Sequence, residues 1–187
     1  MDNQPDIQAA ITRVMYQPSG YLHSSRRFSE LPQDDPLHGK VTNAAILNHY
    51  QLPLSIDFDT GSQHAMQLLL NWTQLPRVCD YLGKLLCHHY GLPDDSPPDN
   101  TQRAFLSLCP VLPLPDWPAV QTFTNDNNIA DPGITAMTQL MHQFSPALSA
   151  RLPLMFDTQL SFADKNTIPA LPYSLFQLVF HYVPFTS

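Results

Sequence analysis

The sequence has few charged side chains, and basic ones are the scarcest. Only 13% of the 187 residues are charged, and nine Lys and Arg stand against 16 Asp and Glu, giving a formal net charge of −7. No basic run is longer than Arg26-Arg27. Because a protein that binds a phosphate backbone needs a basic surface, the composition argues against a nucleic-acid partner.

Cysteines and long apolar runs are also scarce. Cys79, Cys87 and Cys109 are an odd number and lack the pattern of a disulfide framework. The first residues have neither the basic start nor the apolar run of a signal peptide. The apolar run 175–183 is too short to span a bilayer and is interrupted by polar residues. These absences predict a cytoplasmic protein with reduced thiols.

Motifs for catalysis or for cofactor binding are lacking as well. Cys79 and Cys87 do not have the short paired spacing of zinc ligands, and adjacent histidines on a helix point about 100° apart. Asp57 and Asp59 lack the other ligand positions of an EF-hand loop, which favours a solvated turn. No glycine-rich phosphate-binding motif and no nucleophile elbow occur. We therefore predict no enzymatic activity, cofactor or metal; a thiol-dependent or zinc-dependent enzyme is the weaker alternative.

The length and composition fit one helical domain. A chain of 187 residues with 43% hydrophobic residues can bury a sizeable core. Its 19 prolines indicate short helices with abrupt ends. The predicted fold is all-α, a single compact domain over residues 1–187 with six to nine short helices broken by proline-rich loops.

The strongest helix pattern is at residues 75–90, and we expect the rest of the chain to pack around it. Pro76 suits a first helical turn, and apolar residues then recur every three to four positions. Gly91 followed by Leu92-Pro93 is typical of a helix end. Gly83 in the middle is costly in a helix, which predicts a close approach by another helix there.

Further helices follow from apolar periodicity and from capping residues. In the second and third helices the pattern places Val41 and Leu70 in the core, and Ser62 is the predicted cap of the third. Residues 52–62 alternate like a strand but have no partner strand, which favours an extended loop. The predicted helices are 5–16, 40–51, from 63 to about 75, 100–108 with Asn100 or Thr101 as cap, one starting at Trp117 or Pro118, 132–144, 145–156 with a bend or end at Pro153, and 171–183.

Two places are predicted to contact a partner. Arg26 and Arg27 form the basic pair, and Trp117 follows an extended proline-rich run, where a tryptophan can anchor an interface. The alternative for the segment 110–118 is a loop that packs on its own domain.

Three segments carry family-like patterns in a fixed order. Residues 13–27 look like the pattern aromatic–Pro–x–x–Tyr–Ile/Leu–His–x–x–Arg, residues 72–92 are similar to W-x-x-LP-x-V-x-x-LLG-x-H, and residues 144–156 resemble L-P-x-x-L-x-x-R-x-P-L-x-F, each with some positions that differ. Together they resemble the accessory proteins of the type III secretion sorting platform, the SctK group that includes YscK, OrgA and MxiK. That family's histidine two positions after Gly83 is Leu85 here, so nothing that depends on it carries over. The matching positions are Tyr16, Pro18, Tyr21, Leu22, His23, Arg26, Trp72, Leu75, Pro76, Val78, Leu82, Gly83, Pro146, Leu148, Arg151, Pro153, Leu154 and Phe156.

The resemblance implies an all-helical, non-enzymatic adaptor without cofactors. Such a protein would lie in the cytoplasm, at the inner membrane only indirectly through the secretion apparatus. The implied partners are the cytoplasmic domain of the inner-membrane ring protein SctD and the pod protein SctQ, whose complex with SctL leads to the export ATPase. A type III secretion chaperone, or another helical protein-binding module, is the alternative.

Overall fold

The structure is a computed structural model that describes residues 4–27, 36–93, 97–107, 114–117, 131–160 and 168–183. These residues form eight α-helices and no strand, which confirms the predicted all-α fold of six to nine short helices. The helices are α1 Gln4–Tyr16, α2 Pro36–His49, α3 Gln63–Leu70, α4 Leu75–Tyr90, α5 Asn100–Leu106, α6 Pro132–Phe144, α7 Pro146–Ser149 and α8 Tyr173–Tyr182.

The chain forms two compact units, and each is built from two sections of sequence. Unit 1 contains Met1–Thr73 and Met141–Gln159, and unit 2 contains Gln74–Leu140 and Leu160–Ser187. The assignment of residues 1–187 to a single domain stays a prediction.

In unit 1, α1 packs against α3 and α2, and the turn Pro18–Gly20 also packs against α2. The inner face of α1 is fully apolar, so its burial favours folding by roughly 1.5–3 kcal/mol for each large side chain. The buried apolar residues of this unit include Ile11, Val14, Met15, Ile46, Leu68, Leu69, Trp72, Leu148, Leu152 and Leu154.

In unit 2, the central helix is α4, which packs against α5 and α8. Its predicted bounds are confirmed: Pro76 lies in the first turn, and Gly91 ends the helix in the left-handed conformation with φ 67°. The Gly91 N–H donates to the carbonyl of Cys87, which satisfies one of the last carbonyls of the helix. The buried apolar residues of this unit include Leu75, Val78, Leu82, Leu85, Leu86, Phe105, Met137, Leu175, Phe176, Val179 and Phe180.

Several details of the predicted helices are wrong. Helix α2 begins at Pro36 rather than at residue 40, because proline is well accommodated in a first turn. Val41 on α2 is 56% exposed and Leu70 at the end of α3 is 52% exposed, so neither lies in the core. Among the side chains of α2 that the structure describes, Ile46 is the one that is fully buried, and it lies on roughly the opposite side of the helix from Val41.

Helix ends were predicted with mixed success. Ser62 stands before α3 but its side chain makes no capping hydrogen bond, and α5 is capped by Asp99 rather than by Asn100 or Thr101. Asp99 is the cap because its carboxylate and Gln102 form a reciprocal capping box. The chain turns from α3 through Trp72–Gln74 into α4, and α7 stops before Pro153, which lies in the separate turn Leu152–Met155. Residues 52–62 contain neither helix nor strand, as predicted.

Some predictions concern residues beyond those described. The residues after Trp117, over which a helix was predicted, and the thiol of Cys109 lie outside the described residues. Among the described residues, each helix is too short or too polar to cross a membrane.

Candidate functional site

Residues from all three family-like segments meet inside unit 1. Tyr21 is buried and packs edge-on against Trp72, with ring centroids 5.6 Å apart. The Tyr21 hydroxyl donates to the carbonyl of Val14 at 2.8 Å and lies beside the guanidinium of Arg151. Pro18, also buried, begins the turn that follows α1. The family-like pattern of the sequence therefore builds the interior of this unit.

Arg151 is the centre of this interior, although it is fully buried and charged. Its guanidinium donates to the carbonyls of Ala147 at 2.8 Å, Met15 at 2.9 Å and Pro53 at 2.6 Å. Charge-assisted hydrogen bonds of this kind offset the cost of removing the guanidinium from water. One side chain thus joins α7, the end of α1 and the loop that follows α2.

Burial shifts the pKa of both members of the Tyr21–Arg151 pair. Desolvation raises the pKa of Tyr21, and the charge of Arg151 only partly opposes this. Desolvation also lowers the pKa of Arg151, against the attraction of Tyr21. Because both ordinary values are far above neutral pH, the phenol stays protonated and the guanidinium stays charged there. The pair is built for hydrogen bonding rather than for proton transfer.

The turn Ser24–Arg26 is fastened to the segment that follows α7. The His23 N–H donates to the carbonyl of Leu154 at 2.8 Å, and the His23 ring caps the Ser25 N–H. The Arg26 side chain donates to the carbonyl of Phe156 at 2.7 Å and to that of Asp157 at 3.3 Å. Arg26 is therefore half-buried and engaged in its own chain.

The loop between α2 and α3 is held at three points. The Tyr16 hydroxyl donates to the carbonyl of Leu54 at 3.1 Å, and Arg151 donates to that of Pro53. The Asp57 carboxylate accepts from the Ser145 hydroxyl and, at 2.9 Å, from the Ala147 N–H. Asp57 is exposed as predicted for a solvated turn, yet it also caps α7. This loop is ordered by hydrogen bonds rather than by apolar burial.

The remaining family-like residues lie in α4 of unit 2. Leu75, Val78 and Leu82 are fully buried, and Pro76 is partly buried in the first turn. A Cβ atom on Gly83 would lie 3.3 Å from Asp131 Oδ1 and 3.5 Å from the nitrogen of Gly133, which confirms the predicted close approach.

The requirement for glycine is stricter at Gly133, in α6, than at Gly83. A Cβ atom on Gly133 would overlap the carbonyl oxygen of Cys79 and would lie 2.6 Å from the nitrogen of Gly83. Since these are main-chain atoms, they cannot move aside. Gly133 was not predicted from the sequence, although a glycine in the first helical turn after Asp131-Pro132 is a signal of such a contact.

Asp131 starts α6 as predicted. Its Oδ1 accepts from the N–H groups of Gly133 at 2.8 Å and Ile134 at 3.0 Å. Burial raises the pKa of this carboxyl, the two backbone hydrogen bonds oppose the shift, and the charge of Asp80 adds to it. The carboxylate is a cap in a partly buried position.

The two cysteines of α4 lie on buried positions of that helix. Cys79 and Cys87 are buried, and burial together with the nearby carboxylates raises the pKa of the Cys79 thiol well above its usual value. A thiol is not a nucleophile until it ionises. Within the described residues, no group of three or more His, Cys, Asp or Glu side chains could hold a metal ion.

The predicted partner contacts differ in exposure. Arg27 is exposed, whereas Arg26 is tied to Phe156. Trp117 is only 6% exposed and packs edge-on against Tyr90, with ring centroids 5.2 Å apart, while the Tyr90 hydroxyl donates to the carbonyl of Pro115. This geometry is that of a segment packed on its own unit. Partner binding by these residues stays a prediction.

A surface feature that the sequence analysis missed lies on unit 1. An open groove of about 400 Å³ runs between the end of α1 and α2. We call it the α1–α2 groove; it is lined by Tyr16, Gln17, Gly39, Lys40, Asn43, Ala44 and Leu47.

Comparison with known proteins gives one family. The family model described as "Bacterial type III secretion apparatus protein (OrgA_MxiK)" matches residues 11–183. A search of curated proteins gave no match, and a search of solved structures gave none. The matched range contains all three family-like segments and sections of both units.

Proposed function

The chain belongs to the OrgA_MxiK family of bacterial type III secretion apparatus proteins, and we propose that it is an adaptor of the sorting platform. In this role it links the cytoplasmic domain of the ring protein SctD to the pod protein SctQ, whose complex contains SctL. It acts without enzymatic activity and lies in the cytoplasm, peripheral to the inner membrane, where it supports protein secretion.

The observation that carries this proposal is the use of the family-like residues as scaffold. Arg151, Tyr21 and Trp72 are buried, and their hydrogen bonds and ring contacts end within unit 1. Gly83 in unit 2 permits a close helix contact. A protein whose characteristic residues fix a shape, and whose described thiols are buried, is suited to holding partners rather than to transforming a substrate.

Of the predicted contact residues, Arg27 has the geometry best suited to a partner. Its side chain is exposed, and it follows a turn that is fastened to unit 1 by His23 and Arg26. A cation on a fixed turn can meet a carboxylate of a partner at little entropic cost. Arg26 supports that turn, and Trp117 stabilises the surface around Tyr90.

The test is a reciprocal pull-down of the chain with SctQ and with the cytoplasmic domain of SctD from the same secretion system. We expect both to bind and expect secretion to fail when the chain is deleted and to return when it is restored. Arg27→Glu should weaken one of the two complexes, and Arg103→Glu, at an exposed position of α5 in unit 2, is the matched charge control.

The proposal fails if neither protein binds and if deletion leaves secretion intact. Binding to a secreted substrate, with no binding to SctQ or SctD, would instead indicate a chaperone. If both complexes form and Arg27→Glu leaves them unchanged, Arg27 is not the contact.

A further inference from the structure

Unit 1 exposes large apolar side chains in positions that its own structure fixes. Leu37 and Val41 on α2 are 66% and 56% exposed, and Leu54 in the loop after α2 is 58% exposed. Leu37 and Val41 are four residues apart and so lie on one face of the helix. Single exposed apolar residues are common, but a row of them beside a groove marks an interaction surface.

These residues border the α1–α2 groove. Tyr16, which lines the groove, is 40% exposed and donates its hydroxyl to the carbonyl of Leu54. Ala44 lines the groove as well and lies one turn after Val41 on α2. The lining of the groove therefore combines the apolar side chains of Tyr16, Ala44 and Leu47 with polar ones, and the exposed apolar residues lie next to Tyr16 and Ala44.

The main chain around Leu54 is held by hydrogen bonds, although it belongs to a loop. Leu54 follows Pro53, whose carbonyl accepts from the buried Arg151, and Asp57 a little further on is bonded to α7. A main chain that is already held in place loses little entropy when a partner covers it. The buried hydrogen bonds of unit 1 thus serve to present Leu54.

The charge of the groove is unusual for this acidic chain. Lys40 is the charged residue among those that line it, and Arg13 lies on α1 one turn before Gln17. In the described part of unit 1, the carboxylates of Asp57, Asp59 and Asp157 accept hydrogen bonds from main-chain N–H groups, and Asp6 lies at the opposite end of α1. A chain of net charge −7 thus has a lysine, Lys40, in the lining of this groove.

We propose that the α1–α2 groove binds an amphipathic helix that carries large apolar side chains on one face and Asp or Glu along its edge. Both walls include helical turns, and rows spaced by three and four residues pack best against a second helix. The carboxylates would meet Lys40 and Arg13, and the apolar face would cover Tyr16, Val41 and Leu54. This inference rests on the proposed function, since the helix would belong to SctQ or to the cytoplasmic domain of SctD.

The experiment measures the dissociation constants of the full chain for purified SctQ and for the cytoplasmic domain of SctD. The double variant Val41→Glu/Leu54→Glu should weaken one complex roughly tenfold or more and leave the other unchanged. Lys40→Glu should weaken the same complex about fivefold, with a loss that shrinks at high salt. Leu70→Glu, at a similarly exposed position of unit 1 outside the groove, is the matched control. Circular dichroism should be the same for all variants.

A photo-crosslinking residue in place of Ala44 then identifies the partner segment by mass spectrometry. A helical, acidic, apolar segment supports the proposal, and a basic or extended segment overturns it. If the wild type binds and the groove variants bind equally well, this inference is wrong while the adaptor function stands. If light scattering shows that the wild type self-associates and Val41→Glu/Leu54→Glu does not, the groove binds a second copy instead. If the wild type binds neither protein, the adaptor function itself fails.

Discussion

The interior of unit 1 and the interior of unit 2 are stabilised by different interactions. Unit 1 depends on hydrogen bonds between residues far apart in sequence, such as those from Arg151 to Met15 and from Ala147 to Asp57. Unit 2 depends on apolar and aromatic packing around α4 and on a main-chain contact at Gly133. Hydrogen bonds can order loops that bury little, whereas close packing requires helices that fit. The exposed loop that such hydrogen bonds hold, between α2 and α3, accordingly lies in unit 1.

The largest expected effect comes from removing the buried guanidinium of unit 1. Arg151→Met leaves the carbonyls of Met15, Pro53 and Ala147 without their donor and should lower the free energy of unfolding by about 3–5 kcal/mol. Urea denaturation followed by circular dichroism measures this loss. Arg27→Met, at an exposed position, should change it by less than about 0.5 kcal/mol. Equal stability of the two variants would show that Arg151 does not hold unit 1.

The next effect tests the packing of unit 2. Gly133→Ala places a Cβ atom against the Cys79 carbonyl oxygen and should cost about 3 kcal/mol, because α4 and α6 must separate. Gly39→Ala in α2, where nothing lies within 4 Å of the added atom, should instead stabilise the chain by roughly 0.5–1 kcal/mol. The pair is compared by the midpoint of thermal unfolding. A stable Gly133→Ala protein would contradict the close approach.

A smaller effect is expected at the loop of unit 1. Asp57→Ala removes the acceptor of the Ser145 hydroxyl and the Ala147 N–H and should cost about 1–2 kcal/mol. Asp59→Ala, two residues further on, loses only a turn contact to the Gly61 N–H and should cost less than half as much. Hydrogen exchange at the Ala147 N–H gives a second measurement, since this amide should lose protection in the first variant and keep it in the second.

The smallest effect concerns the pH dependence of stability, which should have opposite signs for Asp131 of unit 2 and Asp157 of unit 1. Because the pKa of Asp131 in unit 2 is raised above 3.8 in the folded chain, the folded state binds more protons, and stability falls as pH rises from about 3.8 through the raised pKa. The Asp157 carboxyl of unit 1 behaves oppositely. Its hydrogen bond from the Gln159 N–H lowers its pKa, so stability is lost as pH falls through that lowered value.

Two substitutions separate these contributions. Asp131→Asn keeps an acceptor oxygen for the cap, so the wild type should gain stability relative to this variant as pH falls. Relative to Asp157→Asn, the wild type should lose stability over the same titration. Denaturant midpoints across the acid range measure both differences, and slopes of the same sign would contradict the assignment.

The sequence predicted features that depend on neighbouring residues. The start and end of α4, the Asp131 cap and the close approach at Gly83 follow from proline, glycine and aspartate chemistry within one or two helical turns. What it missed depends on distant partners, because nothing near Asp57 indicates that Ser145 will meet it 88 residues later. For the same reason Arg151 was visible as part of a pattern but not as the donor to Met15, 136 residues away.

Exposure was the other source of error. Val41 and Leu70 belong to apolar patterns that usually mark a core, yet both are more than half exposed. Periodicity predicts which residues share a face of a helix, and it does not say whether that face meets the same chain or another molecule. The exposed row on α2 is therefore the part of the site that required the structure.

The two-section arrangement of each unit has a consequence for synthesis on the ribosome. Residues 74–140 separate the two sections of unit 1, so its first section is made 67 residues before its second begins. At about 5–20 residues per second, this delay is roughly 3–13 seconds. During that time the carbonyls of Met15 and Pro53 lack their hydrogen bonds from Arg151. The leucines that follow α6 and complete the apolar interior of unit 1 have not been synthesised either. Until the second section is made, the first section of unit 1 therefore exposes apolar side chains that the complete unit buries.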